Sequence, residues 1–465
     1  MASTLLQETR PTRRPILEEQ TAAPPAPQPK PERLVSLDAY RGFIMLAMAS
    51  SSGFAVARAV KEYELSGAMW TFFAFQFDHV AWIGCSFWDL IQPSFMFMVG
   101  VALPYSYASR KAKGESEGWI FTHTVIRALL LVALGVFLSS NGEAATHYTF
   151  VNVLSQIGLG YVFVSLQRGR TLVVQSIALA VILVGYTAWF AVYPQPGADY
   201  DWQAVGVMKD GEKLNGWSSH WAKNANAAHQ FDVWFLNQLP PPLPPNKGLR
   251  PALGASAVGL IGTSGPGPFL AVAALAPNWT QQRGYTLDES GSWHFAYNVG
   301  GYQTLNFVPS IATILLGLMA GEMLRGSRSR RAKFGILVLA GAVCLIAGIV
   351  AGEFGFPIVK RIWTPSWVLY STGWTFFILA AFYGVIDVAG WKSWTFPLVV
   401  VGMNSIAIYC MSQLMRGWIG GTMKTHLPAN WFVGPYGLIL HTALILLVMW
   451  LICLWMYRRK IFLKI

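Results

Sequence analysis

The residues best suited to chemistry lie in the segment 78–93, which reads DHVAWIGCSFWDLIQP. His79 precedes Asp89 by ten residues, and Asp89 lies close to the start of a predicted apolar helix. An imidazole has an ordinary pKa of about 6.5, so it can accept a proton or act as a nucleophile at neutral pH. A carboxylate near a helix N-terminus is stabilised there and can hold an imidazole in one tautomer, as the aspartate of a catalytic triad does.

A second interpretation of this segment is structural. His79 would then be a histidine in an interfacial loop, and Asp89 would cap a helix. Asp78 is adjacent to His79, but neighbouring side chains of an extended chain point to opposite sides. We therefore predict Asp89, and not Asp78, as the partner of His79.

The composition predicts the elements that must hold these residues. Of the 465 residues, 54% are hydrophobic and 12% are charged, whereas a soluble domain carries about 25% charged residues. A helix crosses the hydrocarbon core of a bilayer with about 20 apolar residues. Candidate segments occur at 42–60, 86–106, 122–140, 150–167, 171–193, 303–324, 334–352, 366–388, 395–415 and 435–457. The chain is therefore predicted to be an all-α polytopic membrane protein with about ten transmembrane helices in a lipid bilayer.

The distribution of Lys and Arg predicts the topology. Basic residues are concentrated in one set of loops, as expected for cytoplasmic loops, which places both termini in the cytoplasm. The predicted organisation is a disordered cytoplasmic tail at 1–34, helices 1–5 with the His79 loop at 35–193, a long extracytoplasmic loop at 194–302, and helices 6–10 at 303–465. The net charge of +12 is assigned to this topology, so no nucleic-acid partner is predicted. The four cysteines form no CxxC or His/Cys cluster, so no metal site is predicted.

Several ordered motifs carry a resemblance to a known family. The segment 33–42 reads RLVSLDAYRG and is followed at the family's spacing by the His79 segment, in which Ser86 replaces a threonine. Further matches are Arg127 and the segments 153–161, 314–321 and 366–411, the last of which contains the Gly-Met-Asn-Ser motif at 402–405. The chain resembles the transmembrane acyltransferases related to heparan-α-glucosaminide N-acetyltransferase.

The resemblance implies a function. That family transfers an acetyl group from cytoplasmic acetyl-CoA across the membrane to the amine of a glucosamine, and it is usually dimeric. His79 then becomes the acyl acceptor of a ping-pong reaction or the general base of a ternary complex, and the sequence leaves both open. Ser52 stands where the family often has an asparagine, so its hydroxyl is expected to donate to a developing oxyanion. The expected acceptor is an amine or hydroxyl of an extracytoplasmic sugar, and the expected location is a bacterial inner (plasma) membrane.

Other polar groups in or beside the predicted helices would then contact the acyl-CoA. The guanidinium of Arg127 matches a phosphate in geometry, although an arginine extending to the interface is equally compatible. Asn404 and Ser405 could bind the pantetheine amides or the thioester, or simply join helices. Asp38 and Arg41 could shape the CoA entrance, or form a salt bridge at a helix start.

A transporter is the alternative from another functional class. Ten helices that contain Gly, Pro and buried polar groups would suit a secondary transporter of a sugar or another small polar solute. The sequence has no clear internal repeat, which such transporters commonly have. The acyltransferase is therefore the preferred hypothesis.

Overall fold

The structure is a computed structural model that describes residues 34–143, 145–241, 284–287 and 293–463. These residues form a compact unit from Leu34 onward. The α-helices, in chain order, are α1 (Val35–Ala49), α2 (Ser51–Glu62), α3 (Ala68–Gln76), α4 (Ile91–Lys111), α5 (Glu117–Ser139), α6 (Val153–Leu166), α7 (Leu172–Val192), α8 (Ala227–Leu236), α9 (Phe307–Arg325), α10 (Arg330–Glu353), α11 (Pro365–Tyr383), α12 (Phe396–Gly402), α13 (Ser405–Leu414), α14 (Arg416–His426) and α15 (Gly434–Arg458). Strands β1 (Tyr285–Leu287) and β2 (Trp293–Phe295) form an antiparallel pair within the long loop.

The predicted fold class is confirmed, and each of the ten apolar segments lies on a helix or helix pair. Within the described residues, seven helices are long and apolar enough to cross a membrane, and an eighth is obtained if α12 and α13, bent by 65°, form one span. The count is thus below ten, because α4 and α6 do not qualify. Helix α6 has only 14 residues and α4 contains Pro104 and several polar residues. Both are largely buried among other helices, so neither needs the continuous apolar surface of a lipid-facing helix.

The outer surface is apolar on four of the long helices. Large aliphatic side chains on α5, α7, α10 and α15 are exposed, including Leu129, Val181, Leu339 and Leu451. Exposed apolar area on this scale is unfavourable in water but matches the hydrocarbon core of a bilayer. The chain is an integral membrane protein.

The first span is broken in its middle. Helices α1 and α2 meet at residues 51–55, where Ser51, Ser52, Phe54 and Ala55 have positive φ angles. L-residues adopt this left-handed conformation at a cost, and such strain is often found at functional sites. The break turns the chain toward α3 and the His79 segment.

Helix α4, which begins directly after the His79 segment, is held against α9 by backbone contact. A Cβ added at Gly100 would come within 1.9 Å of the carbonyl oxygen of Ile314, and one at Gly317 within 2.1 Å of that of Phe97. Small residues allow membrane helices to pack this closely. Gly100→Leu would therefore separate the two helices and displace the start of α4, which Asp89 directly precedes.

The domain organisation remains a prediction. The tail at 1–34 lies outside the described residues except for Leu34, and the long loop at 194–302 lies partly outside them. The described part of that loop contains α8 and the two strands. It covers the end of the helix bundle at which His79 lies.

Candidate active site

His79 and Asp89 are in direct contact. Nδ1 of His79 lies 2.7 Å from Oδ1 of Asp89, a short hydrogen-bond distance of the kind found when one partner is charged. The Asp89 side chain is buried with 2% exposure, whereas His79 keeps 37% of its side-chain surface accessible. Asp78 uses its carboxylate differently, because its Oδ1 accepts the backbone N–H of His79.

The second oxygen of Asp89 is held by its own loop. Oδ2 accepts the backbone N–H groups of Val80 and Ser86, both at 3.2 Å, and it lies 3.0 Å from the Ser86 hydroxyl, which is 2.6 Å from the carbonyl oxygen of Asp78. These donors fix the carboxylate plane, and therefore the direction in which Oδ1 meets the imidazole. Burial raises the energy of a carboxylate unless it is paired in this way.

Lys360 completes the buried cluster. Its Nζ lies 3.2 Å from Asp89 Oδ1 and 3.2 Å from His79 Nδ1, and its side chain is 5% exposed. An ammonium has only donors, so it donates to the carboxylate, which also accepts the shorter bond from the Nδ1–H of His79. Under this arrangement Nε2 carries the lone pair. Within the described residues Nε2 has no hydrogen-bond partner, so it is available to a substrate.

Three contacts hold the His79 loop in place. The N–H of Gly84 donates to the carbonyl of Ile358, and the indole N–H of Trp82 donates to that of Trp221. Nη2 of Arg361 donates to the carbonyl of Val80, the residue after His79. The site is thus built from the His79 segment, the loop between α10 and α11, and the long loop.

Lys360 and Arg361 were not predicted as site residues. In the sequence they are two adjacent basic residues in the loop 353–365, on the side that the topology predicts to be extracytoplasmic and poor in Lys and Arg. That anomaly is the signal that could have identified them. Paired basic residues on a side where the topology does not require them must have another role.

Removing Lys360 should destabilise the protein. In Lys360→Met, the buried Asp89 carboxylate loses its cationic partner, and breaking a buried pair in this way costs about 3–5 kcal/mol. We expect a clear fall in melting temperature in detergent, measured by intrinsic fluorescence. Lys424→Met, at an exposed position of α14, is the control. A double variant Asp89→Asn/Lys360→Met should recover much of the loss. Equal melting temperatures for Lys360→Met and the parent would contradict the pairing.

Ser52 lies in the left-handed turn between α1 and α2, with φ 53°. No hydrogen bond joins it to His79 within the described residues. The neighbouring Gly53 packs on the ring of Phe77, where an added Cβ would lie 2.2 Å from the ring. Ser52 is therefore next in the chain to a residue that packs on Phe77, and Phe77 directly precedes the His79 segment. The role of Ser52 in oxyanion binding remains a prediction.

Four of the residues predicted to contact CoA gather where α1 crosses α12. A Cβ on Gly402 would lie 2.0 Å from the carbonyl of Asp38. Asp38 and Arg41 form a loose ion pair at 3.9 Å, and Ser405 donates to the carbonyl of Gly402. Asn404 is fully buried at the break between α12 and α13, and its Nδ2 has no partner within the described residues.

Arg127 is separate from that group. Its Nη1 donates to the hydroxyl of Tyr161 at 3.2 Å, and its guanidinium lies 4.9 Å from the centre of that ring. It lines a small pocket together with Arg110, His123 and Arg168. No hydrogen bond or ion pair among the described residues links Arg127 to the crossing of α1 and α12.

A second carboxylate on the long-loop side is also buried. Asp232, on α8, is 1% exposed, and its Oδ2 accepts the N–H of Thr304 at 2.9 Å. Burial raises the pKa of Asp232 from its ordinary value to about 7, against the lowering effect of Thr304. His229, one turn earlier on the same helix, is also buried, and burial lowers its pKa to about 4.

Asp232 should therefore reduce stability at alkaline pH. The pKa of Asp232 is higher in the folded state than in the unfolded chain. The free energy of unfolding therefore begins to fall above the pKa of the unfolded chain, and the whole loss is present above pH 7. At 1.36 kcal/mol per pH unit the penalty reaches about 4 kcal/mol. Asp232→Asn should raise the melting temperature at pH 8 and raise it much less at pH 5. A decrease at pH 8 would show instead that the carboxylate stabilises the fold.

The described residues contain no group of three or more His, Cys, Asp or Glu side chains arranged to hold a metal ion. A buried carboxylate that orients an accessible imidazole is the geometry of general-base and nucleophilic catalysts. The fold and this cluster together define a polytopic helical membrane protein with an enzyme-like site at one end of its bundle.

Comparison with known proteins identifies distant relatives of that class. The chain is 23% identical over 472 residues to the human heparan-alpha-glucosaminide N-acetyltransferase, covering 94% of this chain and 60% of the relative. It is 24% identical over 418 residues to the mouse protein of the same name, covering 84% and 56%. No family model matches the chain. The predicted resemblance is thus confirmed as a distant one, and the chain spans somewhat more than half the length of these curated relatives.

Proposed function

We propose that this protein is a membrane acyltransferase that moves an acetyl (acyl) group from a cytoplasmic acyl-CoA to an amine or hydroxyl of an extracytoplasmic sugar or glycan. The observation that carries the proposal is the contact of 2.7 Å between the buried Asp89 and His79, whose side chain is 37% exposed. The names of both relatives supply the transferred group and the type of acceptor. The location we propose is a bacterial inner (plasma) membrane, with both termini in the cytoplasm.

Two reaction schemes fit the cluster. In the first, Nε2 attacks the thioester carbonyl, the C–S bond breaks, and CoA leaves as a thiolate that takes up a proton. The acceptor amine or hydroxyl then attacks the acetyl-imidazole, loses a proton, and regenerates neutral His79. In the second, the acceptor attacks the thioester carbonyl directly while Nε2 takes the acceptor's proton, the C–S bond breaks, and the imidazolium gives that proton to the departing CoA thiolate. Asp89 stabilises the positive charge that develops on the imidazole in both schemes.

The acyl donor must reach the cluster from the opposite end of the bundle. CoA carries phosphate charges that cannot enter the hydrocarbon core, so only its acyl-bearing arm needs to penetrate. We propose that the crossing of α1 and α12, with Asp38, Arg41, Asn404 and Ser405, lies along this path. The unpartnered Nδ2 of the buried Asn404 is a suitable donor to a pantetheine carbonyl. Arg127 would bind a phosphate, and Ser52 would contribute to oxyanion binding.

One observation supports the alternative of a transporter. The pair α12 and α13 is bent by 65° at a break that contains Asn404, and secondary transporters bind solutes at such broken helices. The acyltransferase is nevertheless preferred, because both relatives are named as acetyltransferases and the accessible imidazole is oriented by a buried carboxylate. We therefore retain transport as the outcome that would replace the proposal.

The test uses purified full-length protein in detergent and in proteoliposomes. Radiolabelled acetyl-CoA is supplied with glucosamine or with an extract of cell-envelope sugars, and both free CoA and labelled product are measured. The proposal predicts sugar-dependent CoA release together with a labelled sugar. Sugar flux into the proteoliposomes without any consumption of thioester would favour a transporter and contradict the proposal.

A further inference from the structure

A cavity of about 350 Å³ lies on the long-loop side, apart from the His79 cluster. Its volume is in the range of about 300–1,000 Å³ that is typical of small-molecule sites. The described residues around it are mainly hydroxyl, amide and aromatic groups. They include Tyr148, Thr149, Tyr285, Phe295 and Asn298.

Asp232 is the only carboxylate among these lining residues. Its Oδ2 is bonded to the Thr304 amide, but Oδ1 has no hydrogen-bond partner within the described residues. No ion pair to Asp232 is present there either. A buried acceptor without a donor is costly, so such an atom is expected to find its donor in a bound molecule.

The wall of the cavity is connected to the catalytic loop. Gly300 lines the cavity, and its carbonyl accepts Nη1 of Arg361 at 2.6 Å. Nη2 of the same guanidinium donates to the carbonyl of Val80, next to His79. Arg361 therefore bridges the cavity wall and the His79 loop.

We propose that the cavity is a subsite for a neutral, hydroxylated sugar ring of the glycan acceptor, with Oδ1 of Asp232 accepting hydrogen bonds from ring hydroxyls. The ring in the cavity would be a neighbour of the sugar that receives the acyl group near His79; this assignment to the acceptor rests on the proposed function. Aromatic side chains provide flat apolar surfaces for the C–H face of a sugar, while hydroxyl and amide groups serve its edge. A carboxylate oxygen is a strong acceptor for hydroxyl groups.

The test is direct binding, which does not require transfer. Methyl β-glucoside is titrated into the purified full chain, and binding is followed by calorimetry and by tryptophan fluorescence. We expect Asp232→Asn to weaken binding at least tenfold. Asp210→Asn, which changes an exposed carboxylate of the same loop, should bind as the parent does. Thr149→Phe narrows the cavity without touching Asp232, and it should also abolish binding.

Several results would overturn the subsite. The first is that the parent does not bind methyl β-glucoside, and the second is that Asp232→Asn binds it as tightly as the parent does. The third is that glucosamine binds and the neutral sugar does not, which would indicate an ammonium ligand. Asp232 would have only a structural role if Asp232→Asn bound the sugar more weakly and also melted at a lower temperature, while Thr149→Phe bound the sugar as the parent does. Weaker binding with an unchanged or higher melting temperature supports the subsite.

Failure of the subsite can be distinguished from failure of the acyltransferase. The two measurements are independent, because binding of methyl β-glucoside is measured without acetyl-CoA, whereas transfer is measured as release of free CoA. If sugar binding depends on Asp232 but no acetyl transfer is found, the cavity remains a sugar site and the proposed reaction is wrong. If transfer is found but its KM for the sugar is unchanged in Asp232→Asn, the subsite is wrong and the reaction stands.

Discussion

Replacing His79 with alanine should abolish acetyl transfer. We expect a loss of at least about 10³-fold in kcat with acetyl-CoA, because both reaction schemes need the lone pair of Nε2, and general acid–base catalysis alone contributes about 10²–10⁴-fold. Removing the imidazole also takes the donor at 2.7 Å from the buried Asp89, so we expect a fall in melting temperature as well, and kcat is compared at a temperature at which both proteins are folded. The measurement is the release of free CoA from labelled acetyl-CoA in the presence of the sugar acceptor.

Two comparisons make this result specific. His426→Ala changes an exposed histidine at the end of α14 and should keep parental activity. His79→Gln keeps a polar side chain of similar length but cannot act as a base at neutral pH, so it should be as inactive as the alanine variant. If His79→Ala releases CoA at the parental rate, His79 has no catalytic role. A labelled, acid-quenched acetyl-enzyme in the parent that is absent in His79→Ala would favour the ping-pong scheme.

The second large effect is expected for Asp89→Asn. The amide keeps the shape of the carboxylate but can neither stabilise an imidazolium nor enforce the tautomer with a proton on Nδ1. The corresponding change in a serine protease triad costs about 10⁴-fold in kcat. We expect a loss of about 10²–10⁴-fold in kcat, with a much smaller change in the KM for the sugar.

Asp89→Asn also leaves Lys360 without its carboxylate, so stability and catalysis must be separated. Lys360 is 5% exposed and would remain as an unpaired buried cation. In the double variant Asp89→Asn/Lys360→Met, the melting temperature should rise toward that of the parent while kcat stays low. Asp78→Asn, next to His79 but bonded only through a backbone N–H, should lose little activity. Recovery of activity in the double variant would show that Asp89 acts only by supporting the fold.

The sequence by itself determined that this chain folds in a lipid bilayer. A content of 54% hydrophobic and 12% charged residues leaves too little polar surface for water, so the all-α membrane class followed from composition and from the length of the apolar segments alone. The resemblance also followed from ordered local motifs, because residue types and spacing survive where overall identity is only 23%. Each of the ten apolar segments lies on a helix or helix pair, because apolar composition over about 20 residues is enough to indicate a helix in a bilayer.

The number of lipid-crossing helices required the tertiary structure. Helices α4 and α6 are surrounded by other helices, so their sequences were free to become shorter or more polar than those of α5 or α10. Hydropathy reports the average environment of a segment and cannot tell a lipid neighbour from a protein neighbour. The number of apolar segments in the sequence is therefore larger than the number of helices that are long and apolar enough to cross a bilayer.

The contents of the site divide in the same way. His79 and Asp89 are ten residues apart on one segment, so local spacing was enough to suggest their contact. Lys360 contacts this pair from a position 271 residues after Asp89 in the chain. Thr304, whose N–H donates to Asp232, lies 72 residues after it. Burial makes both interactions important, because a low-dielectric interior strengthens each pairing and penalises each unpaired polar atom. Burial is a property of the packed molecule, so only the tertiary structure could assign these residues to the site.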